Sequence, residues 1–360
     1  MVKPILKWAG GKEKELEVIK SYLPEKFDKY VEPFVGGGSV FLNFGTKKSF
    51  INDKSEELIN LYKVIKAQDK NFFSMLETIN ESWIGLENFA DKNPEELIDL
   101  YLRKKTVDDF INNYKKEFKA LLKNEIFLEK RIFTEELNRN LISKINRTER
   151  ISKAKGHISE TDIILIMETA LKSAFYMYLR YLYNLNLKEH TCSSFSAAIF
   201  FFIREYCYAS MFRYSKEGKF NVPYGGISYN RKKFKTKIEY LKSDEIQNQL
   251  KTVKIENLDF AEFLNVIDLT ENDFIFLDPP YDTEFSTYAK NQFDKQDQIR
   301  LAECLRKTKA KFMLVIKNTD FIYELYKDFN VKTFEKNYLV SFKNRNNRKT
   351  QHLIIMNYGD

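Results

Sequence analysis

A chain of 360 residues with 43% hydrophobic content can bury a sizeable core, which excludes wholesale disorder and predicts about two domains, or one domain with a long insertion. Lys and Arg outnumber Asp and Glu by 59 to 51, and the net charge of +8 favours a polyanionic partner. Three cysteines (Cys192, Cys207, Cys304) without a CxxC, and three histidines (His157, His190, His352) without ligand spacing, argue against a disulfide scaffold and against a metal site.

The first 66 residues have an α/β rhythm. Met1 to Lys7 has no long apolar core, so no signal peptide is expected and the expected address is the cytoplasm. Lys29 to Phe34 is a short strand leading into Gly36-Gly37-Gly38, and Ser39 to Phe44 is a helix. A second strand covers Phe50 to Asp53. The helix from Ser55 to Lys66 takes Ser55 as N-cap, with Glu56 and Glu57 in its first turn.

Beyond residue 67 glycine becomes scarce, and apolar residues recur at helical spacing among charges: Leu97, Leu100 and Tyr101, then Phe110, Ile111, Tyr114 and Phe118. Asn93-Pro94 starts one such helix, with proline at its first position. This part reads as a helical buttress, with some of its lysines, between Lys104 and Lys123, meeting phosphates. Ile163 to Leu187 is the most apolar stretch, yet Glu168, Lys172 and Arg180 make it a buried helix rather than a membrane span.

Residues 191–250 change character again. Lys219 to Gly226 is rich in turn formers. Arg204, Tyr206, Tyr208, Phe212, Arg213 and Tyr214 precede it, and Arg231-Lys232-Lys233 follow. Basic and aromatic residues mixed on loops suit phosphates and base edges, so Arg213, Asn221 and Arg231 are the predicted DNA contacts, within a reading region of 195–235.

The α/β rhythm returns at 251, with strands at 253–255, 274–277, 312–316 and 352–356 and a helix at about 295–308. Each α/β piece is too small for a full sheet, but together they supply about seven strands. The predicted organisation is one α/β domain, 1–66 plus 251–360, interrupted by a helical and DNA-reading domain, 67–250.

Three motifs carry chemistry. The run Glu32-Pro33-Phe34-Val35-Gly36-Gly37-Gly38 is a strand–glycine loop–helix turn, which lets backbone approach a ligand at the carboxyl end of a sheet. Phe41 stands where a dinucleotide fingerprint needs its third glycine, which argues against a nicotinamide cofactor. Asp53 ends the next strand, 17 residues after Gly36, where an acid can accept both ribose hydroxyls of a nucleoside.

Asp278-Pro279-Pro280-Tyr281 follows an apolar strand. Two prolines end the ladder and stiffen the backbone, leaving carbonyl acceptors beside a carboxylate and an aromatic ring. A flat base with an exocyclic amine fits that cup. The adenine amine is a poor nucleophile because its lone pair is delocalised into the ring. Asp278 and the Pro279 carbonyl can accept its two N–H bonds and draw the nitrogen toward tetrahedral geometry. Stacking on Tyr281 would add roughly 1–3 kcal/mol.

With these motifs in hand, the chain resembles the Dam-like (D12-class) adenine-specific DNA methyltransferases. The matching stretches are Leu6-Lys7-Trp8-Ala9-Gly10-Gly11-Lys12, Tyr30 to Gly38, Ile51-Asn52-Asp53, Phe220-Asn221-Val222-Pro223-Tyr224-Gly225, Asp278 to Tyr281 and Asn347-Arg348, in the family's order. The resemblance implies methyl transfer from S-adenosylmethionine to adenine N6 in double-stranded DNA. It implies a Rossmann-like α/β fold, a mostly parallel seven-stranded sheet with a target-recognition insertion. It places Trp8 and Lys12 at the cofactor, with Lys12 near the methionine carboxylate. Pro33, Gly36 and Gly38 belong to the same cofactor set, and Asp53 takes the ribose. Asp259 is implied near the adenine amine and Phe260 against its ring. Asp278, Pro279, Pro280 and Tyr281 are the implied catalytic motif, with Asp278 also bordering the cofactor. A cognate restriction endonuclease is a possible partner of such enzymes.

The stretch Tyr208-Ala209-Ser210-Met211-Phe212-Arg213 departs from the Asn-Gly then Leu-x-Arg pattern common in that family, so a GATC target does not follow. Two other readings stay open from sequence. One is a methyltransferase of another nucleobase or of a protein amide, which favours Asn in place of Asp278. The other is a DNA-binding relative without activity.

Overall fold

Apolar runs that stop abruptly at Gly, Asp or Pro form the strands of this chain, and longer apolar or amphipathic runs form its helices. The computed structural model describes residues 1–8, 10–122, 127–189, 193–280, 293–337 and 349–359. In chain order, α1 (Leu16–Tyr22), β1 (Lys29–Glu32), α2 (Phe41–Phe44), β2 (Lys48–Asn52) and α3 (Glu56–Lys66) come first. A run of helices follows: α4 (Lys70–Lys92), α5 (Pro94–Tyr101), α6 (Val107–Asn113), α7 (Lys115–Leu121), α8 (Lys130–Lys155), α9 (Glu160–Glu189), α10 (Ser194–Tyr206) and α11 (Phe234–Lys242). The remainder is α12 (Asp244–Leu250), β3 (Lys254–Glu256), α13 (Phe260–Asn265), β4 (Phe274–Leu277), α14 (Lys295–Lys307), β5 (Lys311–Lys317), α15 (Asp320–Tyr326), β6 (Asn330–Asn337) and β7 (Lys349–Met356).

The chain divides into two compact units, Met1–Lys66 with Ser243–Asp360, and Ala67–Lys242. The first unit resumes before residue 251 because α12 belongs to it. Ile246 and Leu250 are buried, and the Gln247 amide donates to the Ile65 carbonyl at 3.4 Å.

The first unit holds a seven-stranded sheet in the order β3-β2-β1-β4-β5-β7-β6. The pairs β3–β2, β2–β1, β1–β4 and β4–β5 are parallel, whereas β5–β7 and β7–β6 are antiparallel, so the sheet is mixed. β4 reads Phe-Ile-Phe-Leu without alternation because it is buried on both faces. One face of the sheet packs Val31, Ile275, Leu277, Phe312 and Leu314 with Phe263, Leu301, Leu305 and Ile322 of α13, α14 and α15. β1 leads to β2 and β3 on one side, and β4 leads to β5 on the other. The strand order therefore reverses between β1 and β4, and ligands of α/β sheets bind outside the carboxyl ends at such a reversal.

The second unit packs around Trp83 of α4. Its ring lies 6.2 Å from Phe175 of α9, 5.3 Å from Phe202 and 4.6 Å from Tyr206 of α10, and 5.6 Å from Tyr224. One expectation is corrected here. Arg204 and Tyr206 sit in the buried helix α10, not on a loop facing DNA. The segment is apolar on every side, which is the mark of a buried helix. Arg204 tethers the following turn by donating to the carbonyls of Ser210 at 2.8 Å and Met211 at 2.7 Å. No helix among the described residues is long and apolar enough to cross a membrane.

Candidate active site

The glycine loop leaves β1 and is tied to β2 by a hydrogen bond from the Val35 amide to the Asn52 carbonyl at 2.9 Å. Gly36 has φ +49° and Gly38 φ +80°, the left-handed region that favours glycine. A Cβ on Gly36 would lie 2.7 Å from Cδ1 of Trp8, and one on Gly38 2.5 Å from the Tyr62 hydroxyl. That hydroxyl donates to the Gly36 carbonyl at 3.0 Å. Trp8 and Tyr62 therefore pack directly on the backbone of the glycine loop, leaving no room for a side chain there.

Asp53 follows β2 and faces this loop. Its Oδ2 accepts from the Gly36 amide at 3.0 Å, and its Oδ1 from the Ser55 amide at 2.9 Å. Burial pushes the Asp53 carboxyl up to about 6, against the pull of the Ser55, Gly36 and Lys54 amides. Asn52 staples three strand ends. Its side chain donates to the carbonyls of Pro33 and Leu258, each at 3.1 Å, and accepts from the Leu258 amide at 2.8 Å.

Asp259 follows β3 and caps α13, accepting from the Ala261 amide at 3.0 Å. Arg300 of α14 donates to the same oxygen, Oδ1, at 2.6 Å and lies 4.9 Å over the Phe260 ring. Phe260 is 4% exposed and packs its ring 5.7 Å from both Phe34 and Phe293.

Asp278 follows β4. It is ion-paired with Lys12, whose ammonium is 2% exposed and also donates to the Gly10 carbonyl at 3.0 Å. The family resemblance implies a place for Lys12 beside the methionine carboxylate; here Lys12 is ion-paired with Asp278 and donates to the Gly10 carbonyl. Pro279 is buried and Pro280 exposed, and the Pro280 carbonyl accepts from the buried Gln298 amide at 3.2 Å. Tyr281, Asn347 and Arg348 lie outside the described residues.

The expected DNA contacts lie in the second unit. Arg213 holds Asn221, donating to its side-chain oxygen at 2.7 Å and its carbonyl at 3.0 Å. Arg231 is bound by Glu87 at 3.0 Å, Asp91 at 2.7 Å and Glu168 at 2.9 Å, so a base contact from it requires exchange of these partners.

Sequence reasoning overlooked Glu32, Tyr62 and Asn52. Glu32 lies inside the glycine motif, is 2% exposed, and accepts from the Tyr30 hydroxyl at 2.6 Å. Burial holds its carboxyl well above the usual carboxylate range; the Tyr30 bond opposes this, and the charge of Asp278 adds to it. A buried acid two residues from a buried tyrosine, at the foot of a glycine loop, was the available signal. Asn52 stood in the Ile51-Asn52-Asp53 stretch without a role of its own, and Tyr62 had no signal, because its partner is a backbone atom of another element.

Gly36 to Gly38, Asp53, Asp259 and Asp278 therefore follow four parallel neighbouring strands, along one edge of the sheet. The model of the D12 class N6 adenine-specific DNA methyltransferases matches residues 8–340. The chain is 26% identical to the type II methyltransferase M1.LlaDCHI of Lactococcus lactis subsp. cremoris, across 100% of this chain and 96% of that one. It is 29% identical to the type II methyltransferase M.MjaIII of Methanocaldococcus jannaschii, across 99% of each. It is 26% identical to the type II methyltransferase M.CviBI of Paramecium bursaria Chlorella virus NC1A, across 99% of this chain and 100% of that one.

Proposed function

The chain belongs to the D12 class N6 adenine-specific DNA methyltransferases, and on that premise we propose a site-specific enzyme that methylates N6 of an adenine extruded from double-stranded DNA, with S-adenosylmethionine as donor. The observation that carries this reading is the gathering of the glycine loop, Asp53, Asp259 and the Lys12–Asp278 pair along the carboxyl edge of four parallel strands. We read the strand order as the Rossmann-like sheet of S-adenosylmethionine-dependent methyltransferases.

The residues present fit the cofactor. A positive-φ glycine loop at the carboxyl edge of β1, with Trp8 packed on it and the Asp53 carboxylate bonded to it, suits a ligand approached by backbone. Pro33, Gly36, Gly38, Trp8 and Lys12 would border its amino-acid end, and Asp53 would accept its ribose hydroxyls. Asp259 is the residue we assign to the adenine amine, with Phe260 as the neighbouring apolar wall. When bound, the cofactor supplies an electrophilic methyl group.

Asp278 accepts an N–H of the target amine, and the Pro279 carbonyl accepts the other. Lys12 fixes the direction of the carboxylate. Pro280, held by Gln298, stiffens the turn, and Tyr281 is assigned to stack on the base. Arg213 and Asn221 are assigned to reading the target, within residues 195–235, with residues 67–160 as the helical buttress. A cognate restriction endonuclease fits the type II naming of the relatives. Work in the cytoplasm fits the substrate.

The test is methyl transfer from labelled cofactor to DNA, followed by digestion to nucleosides. Label in N6-methyladenine supports the reading. Label in cytosine, or in protein, overturns it.

A further inference from the structure

The second half of α8 carries a charge pattern that the active site does not explain. Phe133, Leu137, Leu141, Ile145 and Thr148 are buried, at helical spacing, so α8 packs one stripe and turns the opposite face outward. In the first half both arginines have acids beside them: Arg131 with Glu135 at 3.4 Å, and Arg139 with Glu136 at 2.5 Å. After Leu141 the balance changes. Lys144, Arg147, Arg150 and Lys153 face one acid, Glu149, and Arg103 holds that acid at 2.7 Å.

Arg147, Arg150 and Lys153 are exposed and make no ion pair among the described residues. They stand three residues apart, so like charges face each other along the helix, which is locally destabilising by roughly 0.2–0.5 kcal/mol per pair. The charge of Arg147 also adds to the burial that holds Lys144 below its ordinary value. Attraction to the helix dipole fades within the last turn, and Arg147 lies about two turns before the end at Lys155. Lys153, in the last turn and four residues after Glu149, is partly compensated within the helix, but Arg147 and Arg150 are not, and a polyanion would compensate them.

Resting on the reading of the chain as an enzyme of double-stranded DNA, we propose that Arg147, Arg150 and Lys153 on α8 contact the phosphate backbone of that DNA outside the methylated site. Arg147 to Lys153 covers about 9 Å of helix axis. One DNA strand carries a phosphate per about 3.4 Å of its own axis, so the three cations can neutralise two or three phosphates. Such contacts add affinity without reading sequence. Of the lysines favoured on sequence grounds, Lys104 and Lys105 are less suited, since Lys104 is paired with Asp99 at 2.8 Å and Lys105 with Glu96 at 2.5 Å.

The experiment measures binding of the full chain to a duplex without the target site, over a series of salt concentrations. The Arg147→Gln/Arg150→Gln/Lys153→Gln variant is compared with wild type and with Arg147→Lys/Arg150→Lys. The triple variant is expected to lower the slope of log K against log salt by about 2 to 3. The lysine variant should keep the wild-type slope, and methyl transfer at saturating specific DNA should be unchanged. If the triple variant does not fold, Arg150→Gln alone should lower the slope by about 1. A wild-type slope in a folded variant overturns the proposal, as does loss of the saturated rate with the slope intact.

Discussion

The buried ammonium of Lys12 is ion-paired with the carboxylate of Asp278, joining the N-terminal motif to the strand-end motif of β4. On the proposed reading Asp278 is the catalytic carboxylate, and a cation that touches it sets its direction as well as offsetting its charge. Removing Lys12 leaves Asp278 near a buried Glu32 with its counter-charge gone. Lys12→Gln should therefore destabilise the fold by about 3 kcal/mol, the low end for breaking a buried pair, because Asp278 is 17% exposed. It should also lower kcat more than it raises KM for DNA. Denaturant melts and steady-state kinetics check both, and an unchanged kcat would remove Lys12 from the catalytic arrangement.

Asp53 predicts a pH dependence. Its carboxyl is raised from 3.8 to about 6 by burial. On the proposed reading the ionised Asp53 accepts the ribose hydroxyls, so cofactor affinity should fall as pH drops through about 6. For folding the sign differs from that of a salt-bridged acid. The native state holds this proton more tightly than the unfolded chain, so the Asp53 contribution to stability declines as pH rises from 3.8 to about 6. Asp53→Ala should weaken cofactor binding by roughly 1.5–3 kcal/mol and abolish the inflection. Calorimetry across pH 5 to 8 tests this, and equal affinity for wild type and variant contradicts it.

Gly38 predicts a steric effect. At φ +80°, with the Tyr62 hydroxyl 2.5 Å from where a methyl group would stand, Gly38→Ala meets both backbone strain and a clash. A loss of about 1–3 kcal/mol in stability is expected, with cofactor affinity reduced in parallel. Pairing it with Tyr62→Phe should relieve the clash but not the strain, so denaturant melts of the double variant should recover only part of the loss.

How much of this was legible follows from where each residue sits. The glycine loop, Asp53 and Asp278 each close a short strand, so an apolar run followed by a turn marked them. The Lys12–Asp278 pair was hidden because nothing local joins residues so far apart in sequence. β6 was overlooked because Asn-Val-Lys-Thr-Phe-Glu-Lys-Asn is a polar edge strand that pairs with β7. Arg204 was misread because its helix is apolar all round and gives no one-sided period. The carboxylates around Arg231 come from α4 and α9, and the local Arg-Lys-Lys run conceals that they are there.

Arg213 predicts a change in discrimination. It already grips Asn221, which fixes its guanidinium. Arg213→Ala should reduce the preference for the true site over altered sites by about 1–3 kcal/mol, as expected for a lost bidentate base contact. Arg213→Lys should not restore it, because an ammonium lacks the planar fork. Methylation rates on a panel of single-base variants of the site measure both, and an unchanged preference contradicts the assignment.

The central claim is that Asp278 activates the adenine amine. The most direct measurement is single-turnover methyl transfer to a specific duplex by wild type and Asp278→Ala, with folding followed by circular dichroism and cofactor binding by calorimetry. The expected result is N6-methyladenine from wild type and none from a folded, cofactor-binding Asp278→Ala. Near-normal turnover by that variant, or methyl appearing on another base in wild type, would contradict the account.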